Sequence, residues 1–419
     1  MSSRQYAVRS REPLIPAFAH WLADMRSELL LIAILVAIPV TAQANPESIK
    51  RRARAYELVY NLDYEGATRE MEAAAKADPR DAGAERGLAV IPWLHISYTR
   101  GAVCVDEYLG SLSKQNVAMK AAPADLAKRF ADHSARALKL AEEAVNARPN
   151  DPAALYELGA IVGLQSAYMA TVDGKVVGAL KSARRAYTVH ERVLELDPSR
   201  KDAGLIVGTY RYVLASMTWF VRSFASLIGM DSDRDGGIKL IEAAARSNTE
   251  ASPDAQFALV LFYNREGRYT EAQRVIADLQ KTFPQNRLLW LEAGATALRA
   301  GHPADAETQL TTGMKMLAGE KRPRMFGEEA LWLQKRGATR VSLQRTTEAD
   351  ADLRRALGLE SRKWVTGRVH AELGKLADLK GDRKTAVTHF TRAKQLADED
   401  NDAIGGAAAD RGIGTAYKM

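Results

Sequence analysis

The sequence predicts an all-α fold of about seven to eight antiparallel helical hairpins stacked into a solenoid, on two observations. Ala272 and Ala306 stand 34 residues apart, each close behind a short polar turn, GRYTEA in one unit and GHPADAE in the other. A fixed spacing of this length marks a repeat built from helix pairs. Small residues are needed where the two helices of a hairpin come closest, and larger apolar residues fill the space around that contact. The second observation is a recurring stop, KADPRD at Pro79, ARPND at Pro149, ELDPSR at Pro198 and FPQN at Pro284. Proline lacks an amide proton and disfavours helical geometry in the residue before it, so each of these ends a second helix. Cys104 is the only cysteine, which excludes an intrachain disulfide and leaves the fold to its core.

From the N-terminus, residues 29–40 form the uncharged apolar run LLLIAILVAIPV. At ~1.5 Å per residue it covers ~18 Å, short of a ~30 Å hydrocarbon core. Ala42-Gln43-Ala44 supplies the small-x-small pattern of a secretory cleavage site. The expectation is a signal peptide over residues 1–44, with Met25 as a start that gives it ordinary length, and an exported product that is periplasmic or extracellular. The alternative is an uncleaved segment that anchors the rest to a membrane.

The recurring positions of the two aligned units, Tyr263, Ala272, Ile276 and Pro284 in one and Trp290, Ala293, Gly294, Ala306 and Leu310 in the other, resemble the tetratricopeptide repeat. That resemblance implies a right-handed superhelix with a long concave face. Ala67, Ala137, Ala186, Ala272, Ala306, Ala349 and Ala386 place seven hairpins, and an irregular eighth runs from about Lys201 to Asn248 with Gly237 at its small position. An irregular array over 45–250, regular hairpins over 251–400 and a capping helix with a tail over 401–419 follow. Two places depart from the repeat. Between Pro79 and Ala137 the spacing leaves room for an extra helix around IPWLHISYTRGAVCVDEYLG. Between Asn150 and Pro198 the first helix is long and is followed by AYMATVDGKVVGAL, with a turn at Asp173-Gly174. Insertions in repeat arrays map to one face and can roof a groove. Residues 150–300, including the stretch from Ala179 to Gly229, are similar to tetratricopeptide proteins of the mitochondrial outer-membrane and inclusion-body-clearance type, a likeness that implies architecture and no chemistry.

The stretch GMDSDRDGGIKLIE spells an EF-hand loop from Asp231 to Glu242. Such a loop needs oxygen ligands at positions one, three, five and twelve, glycine at six and a closing glutamate. Asp231, Asp233, Asp235, Gly236 and Glu242 comply, so a calcium-regulated scaffold is one reading. The repeat offers another. A glutamate five residues beyond the small position recurs at Glu72, Glu142 and Glu191, so Glu242 is expected without calcium. A helix starting near Arg234 or Asp235 would carry Glu242 ~10 Å along its axis, too far to share an ion with Asp235. Ser232 and Asp235 then serve as helix cap and first-turn acid.

Other chemistry is sparse. The histidines at 95, 133, 190, 302, 370 and 389 include no HExxH pair on one helix, and no phosphate loop or GxSxG elbow occurs. The formal charge is +7, with acids and bases interleaved along the chain and no aromatic-basic motif, which speaks against nucleic acid. Tyr210, Tyr212, Trp219, Phe220 and Phe224 read as core of a long helix, or as a strip for a partner, a second subunit or lipid. The Lys and Asn by which related co-chaperones grip terminal carboxylates are replaced by Phe257, Leu261, Leu291 and Ala295. The expectation is a scaffold without enzymatic activity or cofactor that binds a protein or peptide on its concave face, lined by Phe257, Leu261, Asn264, Leu288, Leu291 and Leu298. The alternative is a small-molecule capture protein serving a transporter, with the insertions roofing a pocket near Trp93, Tyr98 and Tyr168.

Overall fold

The computed structural model describes residues 45–110, 117, 119–216 and 233–418. The signal-peptide reading with Met25, and Trp219, Phe220 and Phe224 of the aromatic run, lie outside these residues. Among them the secondary structure is helical, without strands, and falls into eight hairpins. These are α1 (Pro46–Tyr60) with α2 (Tyr64–Ala77), α3 (Ala82–Thr99) with α4 (Ala124–Ala147), α5 (Pro152–Thr171) with α6 (Val176–Leu196), and α7 (Gly204–Ala215) with α8 (Arg234–Ala245). Then come α9 (Ser252–Arg265) with α10 (Tyr269–Thr282), α11 (Leu288–Arg299) with α12 (Pro303–Gly319), α13 (Glu328–Ser342) with α14 (Thr346–Leu357), and α15 (Lys363–Leu379) with α16 (Arg383–Glu399). A last helix, α17 (Ala403–Gly414), packs on the eighth pair. No helix of the described residues is long and apolar enough to cross a membrane.

Local chemistry starts and stops these helices. Asp63, Asp81, Asp151, Asp233, Asp382 and Asp402 each accept a backbone amide of the first turn and so satisfy a donor the helix cannot. Helices α2, α4, α6 and α10 each end two residues before their proline, at Pro79, Pro149, Pro198 and Pro284. The seven alanines of the repeat sit on second helices and are fully buried. Opposite Ala306 stands Gly294 of α11, where a Cβ would lie 2.5 Å from Leu310 Cγ, so only glycine lets the pair close. Gly237 does the same for α7 and α8, since a Cβ there would meet the Gly208 carbonyl oxygen at 2.7 Å.

The solenoid turns back on itself. Tyr60, at the end of α1, donates to Asp254 of α9 at 2.5 Å, and Asn286 before α11 donates to the Tyr60 carbonyl at 2.8 Å. Around these bonds Tyr56, Val59, Tyr60 and Met71 share one apolar cluster with Val260, Ile276, Leu279 and Phe283. The first hairpin therefore packs against the fifth and sixth, closing a turn around an interior space.

The extra helix expected around residues 91–110 is absent. Ile91 to Thr99 continue α3 through Pro92, and Gly101, at φ +68°, ends it in a conformation that favours glycine. Beyond it, apart from a single 3-10 turn at Val105–Glu107, the chain runs as a non-helical strip through Gly110. Its Asp106 and Glu107 side chains and its Tyr108 carbonyl pair with Arg299, Arg362 and Arg265 of the later hairpins.

Candidate binding cavity on the concave face

First helices of six successive hairpins, α1, α3, α5, α7, α9 and α11, converge on one cavity of about 590 Å³. The odd helices line it because the small residues that tie each hairpin together turn the opposite face of the first helix inward. Its walls are apolar for most of their area, with Val90, Trp93 and Leu94 from α3, Ala160 and Leu164 from α5, Leu205 and Ile206 from α7, and Phe257 and Leu261 from α9. The strip after α3 closes one side through Ala102, Val103, Cys104, Val105 and Tyr108.

Phe257, Leu261, Leu288 and Leu291 of the sequence-predicted groove all line this cavity. Leu298 is half-buried and Asn264 is buried at 4% exposure, and neither is among the lining residues. Asn264 instead accepts from Thr296 at 3.2 Å and from Arg299 at 2.9 Å, as part of an ionic cluster. Trp93 and Tyr98 line the cavity, and the Trp93 indole donates to Thr171 at 3.0 Å. Tyr168 stacks on Phe130 at 3.7 Å between ring centres and is not among the lining residues.

The polar groups of the wall are tied mostly to one another. Arg86 donates to Glu157 at 2.9 Å and to the Tyr56 hydroxyl at 3.3 Å, and Arg52 pairs with Glu250 at 2.8 Å. Asp254 keeps exposed surface on the cavity side, yet the protein around it raises its pKa against the opposing hydrogen bond from Tyr60. Burial likewise raises Glu250 against Arg52 and Arg86, and Glu292 against Arg299. The lining is apolar for most of its area, so its chemistry suits an apolar guest. His190 of α6, fully buried, is driven down to about 4 by burial, against the hydrogen bond between its Nδ1 and the Ala186 carbonyl.

A second set of contacts lies where the strip crosses the later hairpins. Asp106 is buried and meets Lys335 of α13 at 2.8 Å, Arg299 of α11 at 2.9 Å and Arg368 of α15. Burial pushes the Asp106 carboxyl up, but Lys335, Arg299 and Arg368 outweigh it and hold the group well below the usual carboxylate range. Glu107 pairs with Arg362 at 2.7 Å, and Arg265 donates to the Tyr108 carbonyl. Sequence reasoning missed this cluster, because its cations lie from 193 to 262 residues beyond Asp106 along the chain. The one legible signal was that Arg299, Lys335 and Arg368 recur about one repeat apart on first helices.

At the EF-hand-like stretch, Asp231 and Ser232 lie outside the described residues. Asp233, rather than Ser232, caps α8, its Oδ1 accepting from the Gly236 amide at 2.9 Å, and Asp235 falls in the first turn. Glu242 accepts from Tyr263 at 2.7 Å and from Arg268 at 3.4 Å. Elsewhere, His370 and His389 meet across α15 and α16 with Nδ1 atoms 2.9 Å apart. Among the described residues no group of three or more His, Cys, Asp and Glu is placed to share a metal ion.

No family model and no curated protein matches the sequence. Among solved structures, the chain is similar to yeast Tom70 at 10% identity over 94% of this chain and 93% of that one, with a TM-score of 0.39. It is similar to Pseudomonas aeruginosa PilF at 14% identity over 61% of this chain and 95% of that one, at 0.37. It is also similar to a thermophilic TPR protein of Thermus thermophilus at 18% identity over 60% and 99%, at 0.32. At these scores the likenesses bear on neither site nor partner.

Proposed function

We propose that the chain is a non-catalytic scaffold that holds a protein partner by seating an uncharged apolar segment of it in the concave cavity. The observation that carries this reading is the convergence of six first helices on a single apolar space, with Phe257, Leu261, Leu288 and Leu291 on its wall. Large buried apolar and aromatic anchors are what such a site offers a partner. The pairing of Arg86 with Glu157 and of Tyr60 with Asp254 supports a structural role for these groups rather than a catalytic one. We propose that binding needs no cofactor, calcium included, a reading supported by the engagement of Asp233 with its helix and of Glu242 with Tyr263 and Arg268. The exported location, periplasmic or extracellular, with anchoring to the membrane by an uncleaved N-terminal segment as the alternative, rests on residues 29–44, and peripheral membrane association is a separate part of the proposal. Nucleic acid is not among the proposed partners.

The test is panning of the immobilised full chain against a displayed library of random peptides. Apolar sequences that bind the native chain and lose binding in Leu261→Asp support the reading, and a failure to enrich any peptide that discriminates the two chains ends it. A second reading, capture of a small apolar molecule, is favoured by one observation. The cavity falls in the size range of small-ligand pockets and is walled on one side by the chain's own strip. Native mass spectrometry that finds a small organic molecule retained by the purified chain, and lost in Leu261→Asp, would select it over the peptide.

A further inference from the structure

The strip from Ala102 to Gly110 lies along the inner face of the regular hairpins, where an extended ligand of such an array would lie. Arg299, Lys335 and Arg368 stand on the first helices of three successive pairs, and they converge on the one carboxylate of Asp106. The groove supplies two acids of its own to this cluster, Glu292 to Arg299 and Asp402 to Arg368. Next along the strip, Arg362 is shared between Glu107 at 2.7 Å and Asp400 at 2.5 Å. The contacts are made to a side chain pair and to backbone carbonyls, those of Asp106 and Tyr108, which any extended chain would present.

Energetics favour a recognition role over a purely structural one. Burying an ion cluster costs desolvation that the attraction only partly returns, so an apolar plug would hold a fixed loop in place at least as well. What a buried charge cluster adds is selectivity for a matching sequence and rejection of a mismatched one. We propose that the cationic clamp Arg299–Lys335–Arg368, with Arg362 beside it, is a binding site for an extended acidic segment of a partner protein, with adjacent Asp and Glu flanked by apolar residues, and that the chain's own 102–110 strip holds the site as an internal stand-in. A partner segment gains access by displacing the strip, so its apparent affinity is weakened by the small fraction of molecules in which the strip is out. The clamp adjoins the apolar cavity, whose wall the strip completes from Ala102 to Tyr108, so a segment that takes the strip's place opens that wall as well.

Cys104 makes the exchange visible. It is the only thiol of the chain, it sits in the strip, and it is buried at 8% exposure. The experiment measures the rate of maleimide labelling of Cys104 in the full chain against rising concentrations of a capped peptide of residues 102–110 carrying serine at the cysteine position. The expected result is a saturable rise of about tenfold or more as the closed population is displaced. A peptide with Asn and Gln in place of Asp and Glu should leave the rate unchanged. A guest in the cavity would shield the same thiol, so the two sites move the rate in opposite directions. In Asp106→Asn, the strip is weakened and the clamp kept, so a fluorescent form of the acidic peptide should bind about tenfold tighter than to the native chain. The proposal is overturned by a labelling rate that stays flat up to the solubility limit of the peptide, or that rises equally with the Asn-Gln peptide. Should Asp106→Asn fail to fold, the native-chain titration decides alone.

Discussion

His190 shows how a single side chain can set the pH response of the array. It is fully buried, its imidazole sits where a Cβ at Gly159 would clash, and burial lowers its pKa to about 4 against ~6.5 in an unfolded chain. The unfolded state therefore binds a proton between these values that the folded state refuses. Stability is complete above the unfolded value and is lost as pH falls toward 4, by on the order of 3 kcal/mol. Thermal unfolding at pH 7 and at pH 4 should show a smaller loss in His190→Gln than in the native chain. An equal loss in both would assign the acid sensitivity to other groups. Nothing in the sequence distinguishes His190 from His95 or His133, since burial depends on which helix faces it. The six groove positions divide for the same reason. Leu261 and Leu288 reach the cavity, while Asn264, on the same helix as Leu261, is taken by Arg299.

At the scale of elements, close helix pairs depend on residues that cannot grow. Gly294→Val would drive a side chain into Leu310, and overpacking of this kind costs about 1–3 kcal/mol. Gly319, with nothing within 4 Å of a Cβ, is the matched control, and Gly319→Ala should leave the urea midpoint unchanged or raise it. Helix α8 gives a second case. Asp233→Ala removes its cap and should cost about 1 kcal/mol, read as a lower melting temperature. Millimolar calcium should leave the melting temperature of the native chain where chelator leaves it, and a calcium-dependent rise lost in Asp233→Ala would reinstate the ion. The helix pairs were legible because their signals are local. The small alanines and the proline stops each act within a few residues of the structure they make. The strip was not, because Val103 to Tyr108 carry no periodicity and owe their course to Arg265, Arg299, Lys335, Arg362 and Arg368 far along the chain.

At the scale of the whole molecule, nearest-neighbour packing alone would let a repeat array unfold piecemeal. The contact of the first hairpin with the fifth and sixth changes that expectation, because loss of either partner exposes the shared apolar cluster. The native chain should melt in one transition. Tyr60→Ala removes an aromatic side chain from that cluster together with the bond to Asp254, at a cost of roughly 3–5 kcal/mol, and should split the melt into two. A single unsplit transition in the variant would show that adjacent pairs alone carry the cooperativity.

The same closure bears on how the chain comes into being. Tyr60 meets residues 194 and 226 positions later. During synthesis the first hairpin emerges long before α9 and α11 exist, so Tyr56, Val59 and Tyr60 wait uncovered while more than half of the remaining chain is made. Long-range closure is slow and leaves such surfaces open to aggregation. The earliest-made of the described helices are thus among the last to be sealed.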